Sequence, residues 1–485
     1  MRPRVFYEIF VRSFADSNGD GIGDLPGITH KLDYLKDLGI EGIWLTPIFS
    51  SPSYHKYDCV NYYEIDPVYG TLADFEHLIK EAHRRGIQVI LDLVLNHTSS
   101  SHPWFLQASL DPSSVYRDFY YWMSPQEIKQ KGLGRRRASD DSGVKFPWHN
   151  DRNSHSMKYF GMFWSEMPDL NYNSELLKKE VLDIARYWLS KGADGFRLDA
   201  AKHLFPFWEA PEKTHDFWCY FKSELIKDFP DVYLVGEVWD APEVVAPFFK
   251  AFDACFNIDL SYDLKKILEA EQDENGMLNK LKTTRTLYRQ FKSSFLDALL
   301  LSNHDQERIG SALEGNLQKL KLAANIIFTL PGQPYIYYGE EIGMLGKKPD
   351  EHIREPFPWG DHSETRWIRK KYNLVDPLKT GDALLAHYKS MIHLLKSSPA
   401  LYSDHEGLFE PIKSKSYLLV FIRANENQKL LIIHNLSGKV RSYLPDTGFR
   451  HVYHSDQLVK MKGDAFLIPA YGLLILSEVL TKENV

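Results

Sequence analysis

Residues 87–95, Ile-Gln-Val-Ile-Leu-Asp-Leu-Val-Leu, make a nearly continuous apolar run that carries one carboxylate, Asp92. A strand that reads apolar on both faces is buried on both, which is the condition of strands in parallel sheets covered by helices. The rest of the chain repeats the theme. Strand-like runs at 5–9, 42–45, 193–198, 232–235, 252–257, 296–301 and 335–338 alternate with helix-like stretches at 28–38, 72–85, 175–190, 213–227, 264–291 and 318–329. In the 72–85 stretch Phe75, Leu78, Ile79 and Ala82 fall on one helical face. With 87–95 this gives eight strands, each followed by a helix or a loop and helix, the count of a (β/α)8 TIM barrel in the α/β class. A helix near 384–396 would close it.

Two stretches break the alternation. Between about 96 and 171 the chain is crowded with aromatics, Pro, Ser and charges, and is too long for an ordinary loop. It reads as a small domain inserted after the third strand. After Pro399 short alternating runs at 417–422, 430–433 and 473–476, separated by Gly, Asp, Asn and Pro, read as a separate all-β domain. The expected division is therefore a barrel over 1–96 and 172–398, a small domain over 97–171, and a β domain over 399–485.

Composition narrows the function. A net charge of -7 and a pI near 6.3, with no basic run beyond Arg135-Arg-Arg137, argue against nucleic acid or an anionic membrane as partner. No segment is long and apolar enough to span a bilayer, and the first residues do not resemble a secretory signal. Cys59, Cys219 and Cys255 are odd in number and widely spaced, which fits reduced thiols and a cytoplasmic protein.

The chemistry sits at strand ends, where a barrel of this kind builds its active site. Arg197 and Asp199 end the fourth strand in Gly192-Ala-Asp-Gly-Phe-Arg-Leu-Asp-Ala-Ala-Lys-His203. Alone, such a pair is most often a structural ion pair. Here Asp92-Leu-Val-Leu-Asn-His97 follows the third strand, Gly236-Glu237-Val-Trp239 the fifth, and Ser302-Asn-His-Asp305 the seventh. Three carboxylates, Asp199, Glu237 and Asp305, thus converge with His97, His304 and Arg197, and no HExxH or Cys pattern suggests a catalytic transition metal. Paired carboxylates among aromatics suit glycoside hydrolysis. Asp199, ionised beside Arg197, is the better nucleophile; Glu237, leaving an apolar strand beside Trp239, is the better acid.

These four segments, in this order and spacing, resemble the four signature regions of the α-amylase family of glycoside hydrolases, and the resemblance runs over essentially the whole chain. It implies the barrel, the inserted small domain and a C-terminal antiparallel β-sandwich. It makes Asp199 the nucleophile, Glu237 the general acid/base and Asp305 the third carboxylate that holds the distorted sugar, with His97, Arg197 and His304 binding that sugar. In Tyr54-His-Lys-Tyr-Asp58, Tyr57 falls where the family stacks a ring under the sugar and Asp58 would bond its hydroxyls. Lys56 stands where relatives usually carry Gly. Met167-Pro-Asp-Leu-Asn171 resembles the fifth signature region in a form between the oligo-1,6-glucosidase and neopullulanase groups. Lys202-His203 resembles the pair with which α-amylases grip sugar on the leaving-group side. The implied activity is retaining hydrolysis of α-1,4-glucosidic bonds in starch and maltooligosaccharides. A 4-α-glucanotransferase built on the same intermediate, or an α-glucosidase acting on short oligosaccharides, is the alternative.

Asp16-Ser-Asn-Gly-Asp-Gly-Ile-Gly-Asp24 sets side-chain oxygens at alternate positions between glycines, the composition of a tight loop around a hard cation. Gly27 stands where an EF-hand needs its bidentate Glu, so the loop is not an EF-hand. The family resemblance implies Ca2+ held by Asp16, Asn18, Asp20, Asp24 and the Ile22 carbonyl, and allows a second, interdomain calcium site involving Asn96 and Asp169.

Overall fold

The computed structural model describes residues 4–135, 146–151, 153, 156–367, 381–402, 407–446 and 448–478; Arg136 and Arg137 of the basic triplet lie outside them. Eight strands close into a parallel barrel: β1 (Phe6–Ile9), β2 (Gly42–Leu45), β3 (Gln88–Leu93), β4 (Gly195–Leu198), β5 (Tyr233–Gly236), β6 (Ala254–Phe256), β7 (Leu296–Leu300) and β8 (Gln333–Tyr337). Each strand pairs with its neighbours in chain order and β8 returns to β1, so no edge is left unpaired. Alternation along the strands sorts two cores. Phe6, Trp44, Ile90, Val235, Phe256 and Tyr335 fill the barrel interior, while Tyr7, Ile43, Leu91 and Leu234 face the surrounding helices. Where β4 and β5 meet, a Cβ on Gly195 would lie 1.9 Å from the Tyr233 carbonyl oxygen, so that close approach requires glycine.

Two helix expectations need correction. The stretch 264–291 is two helices, Ile258–Ala270 and Met277–Arg289, because the intervening residues form a tight turn with Glu271 and Gly276 left-handed (φ 58 and 70) and the Asp273 carboxylate accepting from the Gly276 and Met277 amides. The stretch 28–38 starts earlier, at Leu25, where the Asp24 side chain caps the Gly27 amide, and breaks at Lys31 into Leu25–His30 and Leu32–Leu38.

Between β3 and the helix Glu175–Ser190 lies a small antiparallel sheet of Trp122–Met123, Lys158–Phe160 and Trp148–Asn150. Its aromatic core of Tyr121, Trp148 and Phe160 packs against Phe207 and Trp208 from the barrel. Beyond the helix Gly381–Ser397 come a five-stranded and a three-stranded antiparallel sheet. One cluster, including Val420, Ile433 and Leu474 from the larger sheet and Phe466 and Ile468 from the smaller, joins the two face to face. The other face of the larger sheet, with Phe421, Ile432 and Ile475, is continuous with the core around the barrel. Among the described residues, no helix is long and apolar enough to cross a membrane.

Candidate active site

The carboxyl ends of the barrel strands open into a cleft of about 560 Å3 lined by Tyr57, His97, Asp199, Lys202, His203, Glu237 and Asp305 among others. The strand register organises its floor. Arg197 on β4 stands directly beside Asp92 on β3 and Val235 on β5, so its guanidinium emerges between two strands that each deliver acid. Its Nη1 bonds Asp92 Oδ1 at 2.8 Å and Asp199 Oδ1 at 2.5 Å, and its Nη2 lies 3.1 Å from Glu237 Oε2. One buried cation thus ties together three carboxylates from three strands. The chain turns sharply after Asp199: Ala200 is left-handed (φ 45), which aims its amide at Glu237 Oε2, 3.1 Å away.

Burial pushes the Glu237 carboxyl pKa up, and Asp199 and Asp305 push it further in the same direction against the pull of Arg197. Such a group holds its proton to higher pH than a solvated Glu. Asp305 goes the other way. Burial would raise it, but His304, Arg354 and Arg197 outweigh burial and hold it well below the usual carboxylate range.

His304 is the reason a charge persists on that wall. Its Nδ1 lies 2.6 Å from Glu8 Oε1, and its Nε2 lies 3.2 Å from Asp305 Oδ2 and 2.6 Å from the Tyr57 hydroxyl. Burial alone would lower its pKa; Asp305 and Glu8 overcome that and bring it to about 10, so the ring is an imidazolium at neutral pH. Both ring nitrogens then donate, and the Tyr57 hydroxyl donates in turn to Asp92 Oδ2 at 2.9 Å. The Tyr57 ring lies parallel to His304, 8° between planes and 5.4 Å between centroids. His97 is the opposite case, lowered by burial to about 4 and therefore neutral, its Nε2 3.2 Å from the Tyr57 carbonyl.

Asp58 does not line the cleft. It is buried and accepts from the hydroxyls of Ser51, at 2.8 Å, and Ser53. Lys56 adopts the left-handed backbone a glycine would take (φ 68) and turns its side chain away from the cleft into a buried pair with Asp66, 2.6 Å apart. Lys202 Nζ reaches across to the Trp239 carbonyl at 2.5 Å and Asp240 at 3.3 Å, and the His203 ring meets Phe163 edge-on.

With this geometry in place, comparison with known proteins is decisive. Residues 8–404 match the family described as "Alpha amylase, catalytic domain". The chain belongs to the α-amylase family. Residues 418–475 match "Alpha-amylase SusG C-terminal domain". It is 43% identical over 445 residues to "Alpha-amylase 3" of Dictyoglomus thermophilum, covering 89% of this chain and 84% of that one. It is also 36% identical over 448 residues to the "4-alpha-glucanotransferase" of Thermotoga neapolitana, covering 89% and 95% respectively. Among solved structures, the alpha-amylase from H.orenii superposes with a TM-score of 0.90 at 42% identity, over 99% of this chain and 100% of that one. The chain is therefore an enzyme, an α-amylase-family glycosidase.

Several cleft residues escaped the sequence reading. Glu8 on β1, Trp44 on β2 and Arg354 from the segment after β8 belong to the constellation: Trp44 Nε1 bonds Asp92, and Arg354 bonds Asp305 Oδ1 at 2.8 Å, the Tyr54 hydroxyl at 2.8 Å and the His304 carbonyl at 2.9 Å. His55, Phe163, Tyr262, Lys348 and Asp350 line the opening. A charged residue inside a strand apolar on both faces was the available signal for Glu8. Arg354 lies in a stretch without periodicity, and nothing in the sequence marked it.

The Asp16–Asp24 loop turns its side chains on its own backbone. Asp16 accepts from the Asn18, Gly19 and Gly21 amides, Asn18 from Asp20, Asp20 from Ile22, and Asp24 from Ser17 and Gly27. Asp16 and Asp24 are buried, and the Asp24 pKa is raised by burial with a further push from Asp16. Among the described residues, no three His, Cys, Asp or Glu side chains gather as a metal-binding group.

Proposed function

We propose that this enzyme cleaves α-1,4-glucosidic bonds of starch and maltooligosaccharides with retention of anomeric configuration, and transfers glycosyl units to sugar acceptors when substrate is abundant. The observation that carries this reading is the Arg197 bridge, which holds Asp199 and Glu237 side by side at the cleft floor with unlike environments. Asp199 attacks the anomeric carbon while Glu237 gives its proton to the departing oxygen. Glu237, now a base, takes a proton from water or a sugar hydroxyl that displaces Asp199. The raised pKa of Glu237 keeps its proton available for the first step. His304, charged, and Arg354 keep Asp305 ionised against the sugar, while Tyr57, His97, Arg197 and His304 bind the transferred unit. Lys202 and His203 grip sugar on the leaving-group side.

Calcium enters this reading as a structural ion. The 16–24 loop offers hard oxygens from Asp16, Asn18, Asp20, Asp24 and the Ile22 carbonyl, and its two buried carboxylates, Asp16 and Asp24, repel each other without a cation between them. A second position is favoured by Asn96 Oδ1 and Asp169 Oδ2, both buried and without a hydrogen-bond partner. The free, mostly buried thiols suit a cytoplasmic setting.

The transferase reading has support of its own in the relative named 4-alpha-glucanotransferase and in the aromatic acceptor side of the cleft. The experiment is NMR of the first product formed from maltotriose, with Asp199→Asn and Glu237→Gln beside the wild type. Retention is expected, with kcat down by three or more orders of magnitude in Asp199→Asn. An inverted first product would overturn the assignment of Asp199 as nucleophile.

A further inference from the structure

We infer that the cavity between the first turns of the helices Glu175–Ser190 and Glu212–Leu225 is a second glucan-binding site, separate from the cleft, in which Tyr220 takes the face of one glucosyl unit and Asp216 takes its hydroxyls. The inference rests on the glucan reading above and extends it to residues that take no part in the chemistry.

Both helices follow barrel strands, β3 by way of the small domain and β4 by a short loop, so their first turns lie on the rim where the strand ends open the cleft. The cavity between them holds about 250 Å3, room for one sugar ring, and shares no lining residue with the cleft. The two come closest in sequence at Phe205, two residues past His203. The segment after Asp199 thus gives Lys202 and His203 to the cleft and Phe205 to this cavity.

The apolar part of the cavity is a series of rings in contact. Phe205 meets Tyr172 with centroids 6.1 Å apart, Tyr172 meets Phe217 at 4.5 Å, and Phe217 meets Tyr220 at 6.5 Å. Tyr172 and Phe217 are buried, and the Tyr172 hydroxyl is engaged by the Leu95 carbonyl at 2.6 Å, so the series is fixed at its middle. Tyr220, at its end, stays 44% exposed. A large ring left open beside a cavity gains free energy when the C–H face of a pyranose covers it.

The polar groups decide the class of ligand. Lys213, Asp216 and Tyr220 stand at i, i+3 and i+7 of the helix Glu212–Leu225 and so share one face. Lys213 Nζ lies 2.8 Å from Glu209 and 3.1 Å from Asn173 Oδ1, and Lys178 Nζ lies 2.7 Å from Glu175, so both ammonium charges are already matched. Asp216 is exposed and, among the described residues, has neither a hydrogen bond nor an ion pair. An anion entering here would meet that uncompensated carboxylate. A neutral ring of hydroxyls instead finds acceptors on Asp216 and donors on Lys178 and Lys213 beside an aromatic face, which is the composition of a sugar site.

The consequence depends on substrate length. A long glucan held in this cavity keeps the rest of its chain at the rim, which raises the effective concentration of glucosidic bonds before the cleft. A substrate too short to be held there while it enters the cleft gains nothing.

The test therefore sets a long substrate against a short one. In Tyr220→Ala and Asp216→Ala, KM on soluble starch and the dissociation constant for granular starch, read by depletion of protein from solution, should each rise about threefold or more, while kcat/KM on maltotriose stays within about twofold of wild type. Tyr220→Phe keeps the ring and should match wild type on both substrates. Tyr220→Leu keeps bulk without a flat ring and should behave as Ala does, which covers the case in which Ala unfolds. Starch KM and adsorption unchanged in these variants, while wild type cleaves maltotriose, would remove the second site and leave the glucan reading standing. An equal loss on maltotriose would also overturn it, because the residues would then serve the fold or the cleft. A wild type that cleaves neither substrate would end the glucan reading and the second site with it.

Discussion

At the scale of single residues, the site is built by charges that cannot be removed one at a time. Lys56 shows this outside the reacting groups. Its ammonium and the Asp66 carboxylate are both buried, and the surrounding contacts tie the 51–58 loop together: Lys56 Nζ bonds the Ser51 carbonyl, Asp66 accepts the Ser51 amide, and the Ser51 hydroxyl reaches Asp58. Removing one member of a buried pair leaves the other without compensation, at a cost of about 3–5 kcal/mol. Lys56→Met should therefore lower the melting temperature clearly, and Lys56→Met with Asp66→Asn should recover most of the loss. Equal melting curves for the wild type and Lys56→Met would show the pair to be worth little. Sequence could flag Lys56 as the odd residue in its segment. It could not say that the side chain folds back rather than narrowing the cleft, because that depends on Asp66, ten residues on and brought near by the hairpin of Phe49–Ser50 with Asn61–Ile65.

At the scale of elements, legibility followed burial. β2 and the helix Glu175–Ser190 lie where the apolar pattern put them, since a strand buried on both faces and a helix with one buried face each write their periods plainly. The acids at the ends of β4, β5 and β7 were readable for the same reason: strand ends point into one volume. The break between Ile258–Ala270 and Met277–Arg289 was missed although Asp273, Asn275 and Gly276 form a turn signal, because apolar spacing continues on both sides of it. The Asp16–Asp24 loop is the element whose chemistry remains most open to test. A cation bound by the folded loop and not by the unfolded chain raises stability by mass action. Removing calcium with EGTA should lower the melting temperature, added Ca2+ should restore it, and Asp16→Asn should blunt both changes. A melting curve indifferent to chelation would remove the ion from the proposal.

At the scale of the whole molecule, the barrel and the C-terminal sheets share a buried polar seam. Arg423 donates to the carbonyls of Thr329 and Leu401, Asn325 donates to Asp456, and His434 Nε2 meets the Thr329 hydroxyl at 2.9 Å. His434 is fully buried and its Nδ1 has no hydrogen-bond partner, so burial drives its pKa down to about 3. His102 is lowered by burial to about 3 and His97 to about 4. In the unfolded chain each would bind a proton near pH 6.5, so the stability these neutral rings allow is complete above that pH and falls as acid is added toward pH 3–4. His304 runs the other way. With its pKa brought to about 10, its contribution is complete below pH 6.5 and is lost as pH rises toward 10, which leaves maximal stability near neutrality. The seam can be singled out within this total. Near pH 5, unfolding of wild type should take up about one more proton than unfolding of His434→Gln, and between pH 6.5 and 5 the variant should lose about 2 kcal/mol less stability. Calorimetry in buffers of differing ionisation enthalpy measures the proton count directly. Equal uptake in the two proteins would mean that His434 does not titrate on unfolding, and that acid opens the molecule somewhere other than the seam between barrel and sheets.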